Sequence, residues 1–93
     1  MSNLQYLRRQ LDDIDAQIIE LLAERGRVIE GVISYKRDHN LSPVDPTRET
    51  KVLAKATQTA AALGLDPRVA RAAFRSILDT FALIESEQLG SKE

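Results

Sequence analysis

Six charged residues carry most of the chemistry this sequence could do: Arg8, Arg25, Lys36, Asp45, Arg48 and Glu49. Arg25 and Lys36 are eleven residues apart, nearly three helical turns, so they share almost one helix face at ~16 Å along its axis. Two long cationic side chains so placed can converge on one small ligand between them. Arg8 precedes Arg25 by seventeen residues, ~25 Å. It cannot easily reach the same ligand from the same chain, but a second chain in an antiparallel helix pair could present its own copy. "DPTRET" adds Asp45, Arg48 and Glu49 at a helix N-terminus, where anions are favoured and an arginine offers a fork to a carboxylate. Four cations and two acids, in a chain of net charge −1, suit a small polyanion that also carries a hydroxyl or similar group.

The missing groups narrow the chemistry further. There is no cysteine, hence no thiolate nucleophile, and the one histidine, His39, falls in an expected turn. It reads as a solvated loop residue rather than a base. No glycine-rich phosphate loop or metal-ligand spacing occurs, so neither metal nor cofactor is expected. An enzyme built from these residues would work by binding, orientation and electrostatics, without covalent steps. Plainer readings stand beside this one. Arg25 is equally a snorkelling arginine or a polar residue that fixes helix register, and "DPTRE" alone is an ordinary helix cap with solvated charges.

The elements that must position these groups are helices. Leu4, Leu7, Leu11, Ile14, Ile18 and Leu21 are spaced alternately by three and four, and Val28, Val32 and Tyr35 continue the row. This is the spacing of a helical seam, and Arg25 stands where its next apolar residue belongs. Ser2 and Gln5 fit a capping box. Gly26 and Gly31 weaken the interior by roughly 1 kcal/mol each but do not end it. The first helix is therefore expected over residues 3–38, ended by Asn40 and Pro43. A second starts with Asp45 as cap and Pro46 at its first position and stops at Gly64. A third repeats the device with Asp66 and Pro67 and closes at Gly90. Residues 91–93 read as a frayed tail.

Ninety-three residues, 43% of them hydrophobic, 4% aromatic and 29% charged, make one all-α domain over 1–93. The polar start and the lack of a long apolar run give no secretory signal or membrane span. The expectation is a soluble cytoplasmic protein with no membrane partner, and the charge balance supplies no basic field for nucleic acid. A first helix of about 36 residues would be ~54 Å long. A compact monomer of this size has a diameter of only about 30 Å. The overhanging seam calls for a homodimer with the first helices paired across a two-fold axis. The competing reading is a monomeric hairpin kinked at Gly26 or Gly31.

Taken in order, "LRRQLDDIDAQIIELLAERGRVIEGVISYK", "VDPTRE" and "LDPRVARAAFRSILDTFALIESE" resemble the all-α class of chorismate mutases over nearly the whole chain. The resemblance implies three helices per chain in an intertwined homodimeric bundle with shared sites. It also implies rearrangement of chorismate to prephenate, a pericyclic step with no enzyme nucleophile. Arg25 and the Arg8 of a second chain would clamp the substrate's two carboxylates. Lys36 would contact a carboxylate and the ether oxygen. Glu49 would accept from the ring hydroxyl beside the Asp45 backbone N–H, and Arg48 would complete the loop side.

Two positions depart from the bacterial pattern. Glu85 stands where a glutamine donates to the ether oxygen, as a glutamate does in fungal relatives. An ionised carboxylate cannot donate, so Glu85 must carry a proton to do that job. Phe81 stands where a serine is usual, which is reminiscent of isochorismate-pyruvate lyases of the same fold, although "DPTRE" fits the mutases better. The plainer reading places Phe81 in the core with Phe74, and Glu85 at the surface. Lys36, Glu85 and Arg25 are thus the expected catalytic groups. Arg8, Arg25, Lys36, Asp45, Arg48, Glu49 and Phe81 are expected to bind substrate. Alternatives are a mutase of 4-amino-4-deoxychorismate, the lyase, and a non-catalytic helical dimerisation or regulatory module.

Overall fold

A computed structural model describes residues 3–90. Among them are three helices and no strand: α1 (Asn3–Asp38), α2 (Pro46–Ala62) and α3 (Pro67–Leu89). The capping residue expected at Ser2 and the tail at 91–93 lie outside the described residues. The chain divides into two compact units, one ending at Val32 and the other beginning at Ile33.

The first unit is α1 up to Val32, unbroken past Gly26. Its apolar row is open: Leu4, Leu7, Leu11, Ile14 and Ile18 are 49–55% exposed, and Leu21 and Val28 each reach 65%. The better-covered positions from residue 22 onward are Leu22, Arg25, Gly26, Ile29 and Val32. Arg25 and Val32 of the expected seam are among these covered positions, whereas Leu21 and Val28 are exposed and Leu22 and Ile29 are covered beside them. A row repeated every 3.5 residues drifts by about 20° per heptad on a straight helix of 3.6 residues per turn. The direction faced by Leu4 returns after five turns, at Leu22.

The second unit holds the last turns of α1 with α2 and α3. Ile33, Ala60, Ala70 and Leu78 form its buried apolar core, and α2 packs along α3. Each helix boundary has a local cause. Asn40 adopts φ 58° after α1, Leu41 N–H donates to Lys36 C=O (2.8 Å) and Asn40 N–H to Arg37 C=O (3.3 Å). That is the left-handed closure of a Schellman end. α2 ends the same way: Gly64 takes φ 78°, with Leu65 N–H on Ala60 C=O at 2.8 Å. Both later helices start on an aspartate cap followed by proline, whose missing N–H costs nothing at that position. The Asp45 carboxylate accepts from Arg48 N–H (3.1 Å), and Asp66 from Arg68 N–H (2.9 Å).

Candidate active site

The second unit assembles its charged groups from three helix segments. Lys36 is fixed by the closure of α1, whose next carbonyls are tied down by Asn40 and Leu41. Its ammonium donates to the Pro43 carbonyl (3.0 Å) and to Glu85 Oε1 (2.8 Å). Both side chains are largely buried, at 16% and 9% exposure. Lysine has donors only, so Oε1 of Glu85 accepts here. Glu85 lies on the α3 row formed by Ala70, Phe74, Leu78 and Phe81, one turn beyond Phe81. Spacings of four, four, three and four keep that row on one face, so the carboxylate is carried inward with the core. Glu85 is buried and Phe81 half-buried.

A second cluster links α2 to α3. The cap places Glu49 in the first turn of α2, with its N–H on Asp45 C=O at 3.0 Å. Its Oε1 accepts from Arg75 Nη2 (2.9 Å). Arg75 also grips Asp79 one turn along α3, through Nε (3.1 Å) and Nη2 (2.7 Å). Hydrogen bonding to Glu49 first, and to Asp79 second, holds the Arg75 guanidinium further above its already high range. It is a permanent cation. Sequence reasoning singled out Glu49 and missed Arg75. The Arg75–Asp79 spacing of four was a visible signal for their own pairing, but nothing local announced the contact with Glu49, 26 residues away.

Of the expected site residues, Lys36 meets Glu85 directly, Asp45 meets the Arg48 backbone, and Glu49 is engaged by Arg75. The Arg48 residue is exposed. Arg8 and Arg25 belong to the first unit, where Arg8 is exposed and Arg25 partly covered. Among the described residues no group of three or more His, Cys, Asp or Glu side chains is arranged to hold a metal ion. No helix there is long and apolar enough to cross a membrane. The arrangement sets two cations, Lys36 and Arg75, each against a carboxylate from another helix segment.

Comparison with known proteins gives this chemistry a context. The chain is 31% identical over 88 residues to 4-amino-4-deoxychorismate mutase from Streptomyces pristinaespiralis, covering 95% of this chain and 68% of that protein. It is 31% identical over 78 residues to T-protein from Enterobacter agglomerans, covering 84% of this chain but only 21% of that relative. The family model described as chorismate mutase type II matches residues 7–86, a stretch that contains Arg8, the Lys36–Glu85 pair and the Glu49 cluster, and the chain belongs to that family.

Proposed function

We propose that the chain is a chorismate mutase that rearranges chorismate to prephenate within a single helical domain over residues 1–93. The observation that supports this most directly is Lys36, a largely buried ammonium held between Pro43 and Glu85 inside the stretch that matches the family. The reaction breaks a C–O bond while a C–C bond forms, and negative charge grows on the departing ether oxygen. A cation already fixed at that position stabilises the transition state more than the ground state, without reorganisation during the step. In this reading Arg25 and the partner subunit's Arg8 clamp the two carboxylates, and Glu49 accepts from the ring hydroxyl beside the Asp45 N–H. Arg48 screens the loop side, and Phe81 packs against the ring. No group forms a covalent bond to substrate.

The same reading makes the functional unit a homodimer. The open apolar row of the first unit is the surface a second copy would cover, and the distance from Arg8 to Arg25 requires the shared site. Mixing inactive Arg8→Ala protein with inactive Arg25→Ala protein tests it. Random exchange would recover about a quarter of full activity, because half the dimers would each hold one intact site. No recovery despite demonstrated exchange would reject the composite site.

A second reading keeps the fold and changes the substrate to 4-amino-4-deoxychorismate. The name of the Streptomyces pristinaespiralis relative favours it. An assay series with chorismate, isochorismate and 4-amino-4-deoxychorismate, with products separated by chromatography, decides between these. Turnover of chorismate to prephenate is the expected result. Inactivity on all three would leave a helical dimerisation module.

A further inference from the structure

We propose that Arg75 is a positioning residue for Glu49, and that the pair sets the enzyme's preference for a neutral ring hydroxyl over a ring ammonium. This rests on the reading that Glu49 faces the ring substituent. The argument begins with where the three charges lie. Asp79 is 64% exposed, Arg75 42% and Glu49 22%. They form a chain that leads from solvent into the packed side of the α2–α3 pair. Asp79 and Arg75 share one helix and hold each other at spacing four, so the guanidinium is anchored before it meets Glu49. Glu49 stands on another helix and has a long side chain with several rotamers. The contact at 2.9 Å selects one of them.

Two consequences follow for a ligand. The first is directional. Arg75 occupies Oε1 of Glu49, so Oε2 carries most of the capacity left for a substrate donor. The second is electrostatic. The guanidinium offsets much of the Glu49 charge at close range and remains a cation in its own right. A hydroxyl needs one lone pair and loses less from that offset than a full positive charge does. An ammonium would gain less from a carboxylate already paired, and would approach a second cation. A carboxylate meant for an ammonium would do better with no arginine on it.

The test reads a ratio, because a purely structural role lowers turnover of both substrates together. kcat/KM is measured for chorismate and for 4-amino-4-deoxychorismate with the wild type, Arg75→Gln and Arg75→Lys. Arg75→Gln should shift the ratio towards the amino substrate by roughly fivefold, the scale of a partly exposed ion pair. It should also raise KM for chorismate more than it lowers kcat. Arg75→Lys keeps the cation and should hold the ratio near wild type. An unchanged ratio in a folded Arg75→Gln protein overturns the selectivity claim. If the wild type turns over neither substrate, the functional reading fails and the selectivity claim falls with it. Positioning is then judged alone, by 15N NMR of the Arg75 guanidinium. Restricted rotation that is released in Glu49→Gln supports it, and rotation unaffected by that change overturns it.

Discussion

Two apolar rows in this molecule are each interrupted by one charge, and they are completed differently. On α3 the row Ala70–Phe74–Leu78–Phe81 runs into Glu85, which is buried, and the chain supplies its partner from the end of α1, 49 residues away. On the first unit's helix the row from Leu4 to Val28 runs past Arg25, and its apolar side chains stay about half exposed or more. A single helix of this length gains little stability without packing. The contrast teaches that a charge buried in a packed row is met by a partner from another helix, while the apolar side chains of the α1 row remain open to solvent. Under the proposed function both interruptions exist for the same ligand.

Replacing each charge by leucine should break the comparison in a diagnostic way, and these are the largest effects expected. Both Arg25→Leu and Glu85→Leu should lower activity, Arg25→Leu by at least ~10²-fold, the scale of one preorganised electrostatic group. Stability should move in opposite directions. Arg25→Leu extends an apolar row and should keep or raise Tm. Glu85→Leu leaves the Lys36 ammonium without its carboxylate and should destabilise by about 1–3 kcal/mol, held to the low end because Pro43 C=O and some solvent remain available. Activity assays and thermal melts on the two variants decide it. Equal losses of stability would mean that Arg25 is as much a structural group as Glu85.

Glu85→Gln sharpens the same contrast. Oε1 accepts from Lys36, so any donation to a substrate ether oxygen needs a proton on Oε2. In that case the glutamine, whose amide donates without needing an added proton, keeps or improves activity. An active wild type with an inactive but folded Glu85→Gln would mean that Glu85 works as a carboxylate, which suits a substrate bearing a positive group.

These differences follow what a sequence can express. The helix boundaries were legible because their causes are local: Asp45 with Pro46, Asp66 with Pro67, Asn40 and Gly64 each act within one turn. Phe81 and Glu85 were singled out only through the family resemblance, with core and surface both left open, and the packing of α3 buries Glu85. On α1 the spacing singled out Arg25 and Val32, which are partly covered, but not Leu22 and Ile29 beside them, because a heptad row and a 3.6-residue helix diverge over many turns. The choice of Arg75 as partner for Glu49 was not legible, since it depends on how two helices pack and not on either helix alone.

The two aspartate caps offer a smaller test of the site's scaffold. Asp45 holds the first turn of α2, and with it Arg48 and Glu49. Asp45→Ala should cost about 1 kcal/mol of stability and raise KM more than it changes folding cooperativity, because the turn that carries Glu49 loosens. Chemical denaturation and steady-state kinetics would check both. An unchanged KM would detach the cap from the site.

The smallest effect concerns Asp66, the cap of α3, where an extra charge is present. Besides accepting from the Arg68 N–H, its carboxylate takes three hydrogen bonds from the Arg68 guanidinium, the shortest at 2.6 Å. Those side-chain bonds first, and the backbone bond second, hold the Asp66 carboxyl below its ordinary value of 3.8. A carboxyl lowered in the folded state adds stability that is fully present above that ordinary value. The contribution is lost as pH falls below it and through the folded value. The pair is exposed, so salt screens it and the amount is small. Asparagine caps a helix about as well as aspartate, so Asp66→Asn removes the charge and keeps the cap. The wild type should melt slightly above Asp66→Asn at neutral pH and low salt. The gap should close below about pH 3 and also in high salt. A gap that survives both acid and salt would assign the role of Asp66 to capping geometry alone, as at Asp45, and remove the electrostatic distinction between the two helix starts.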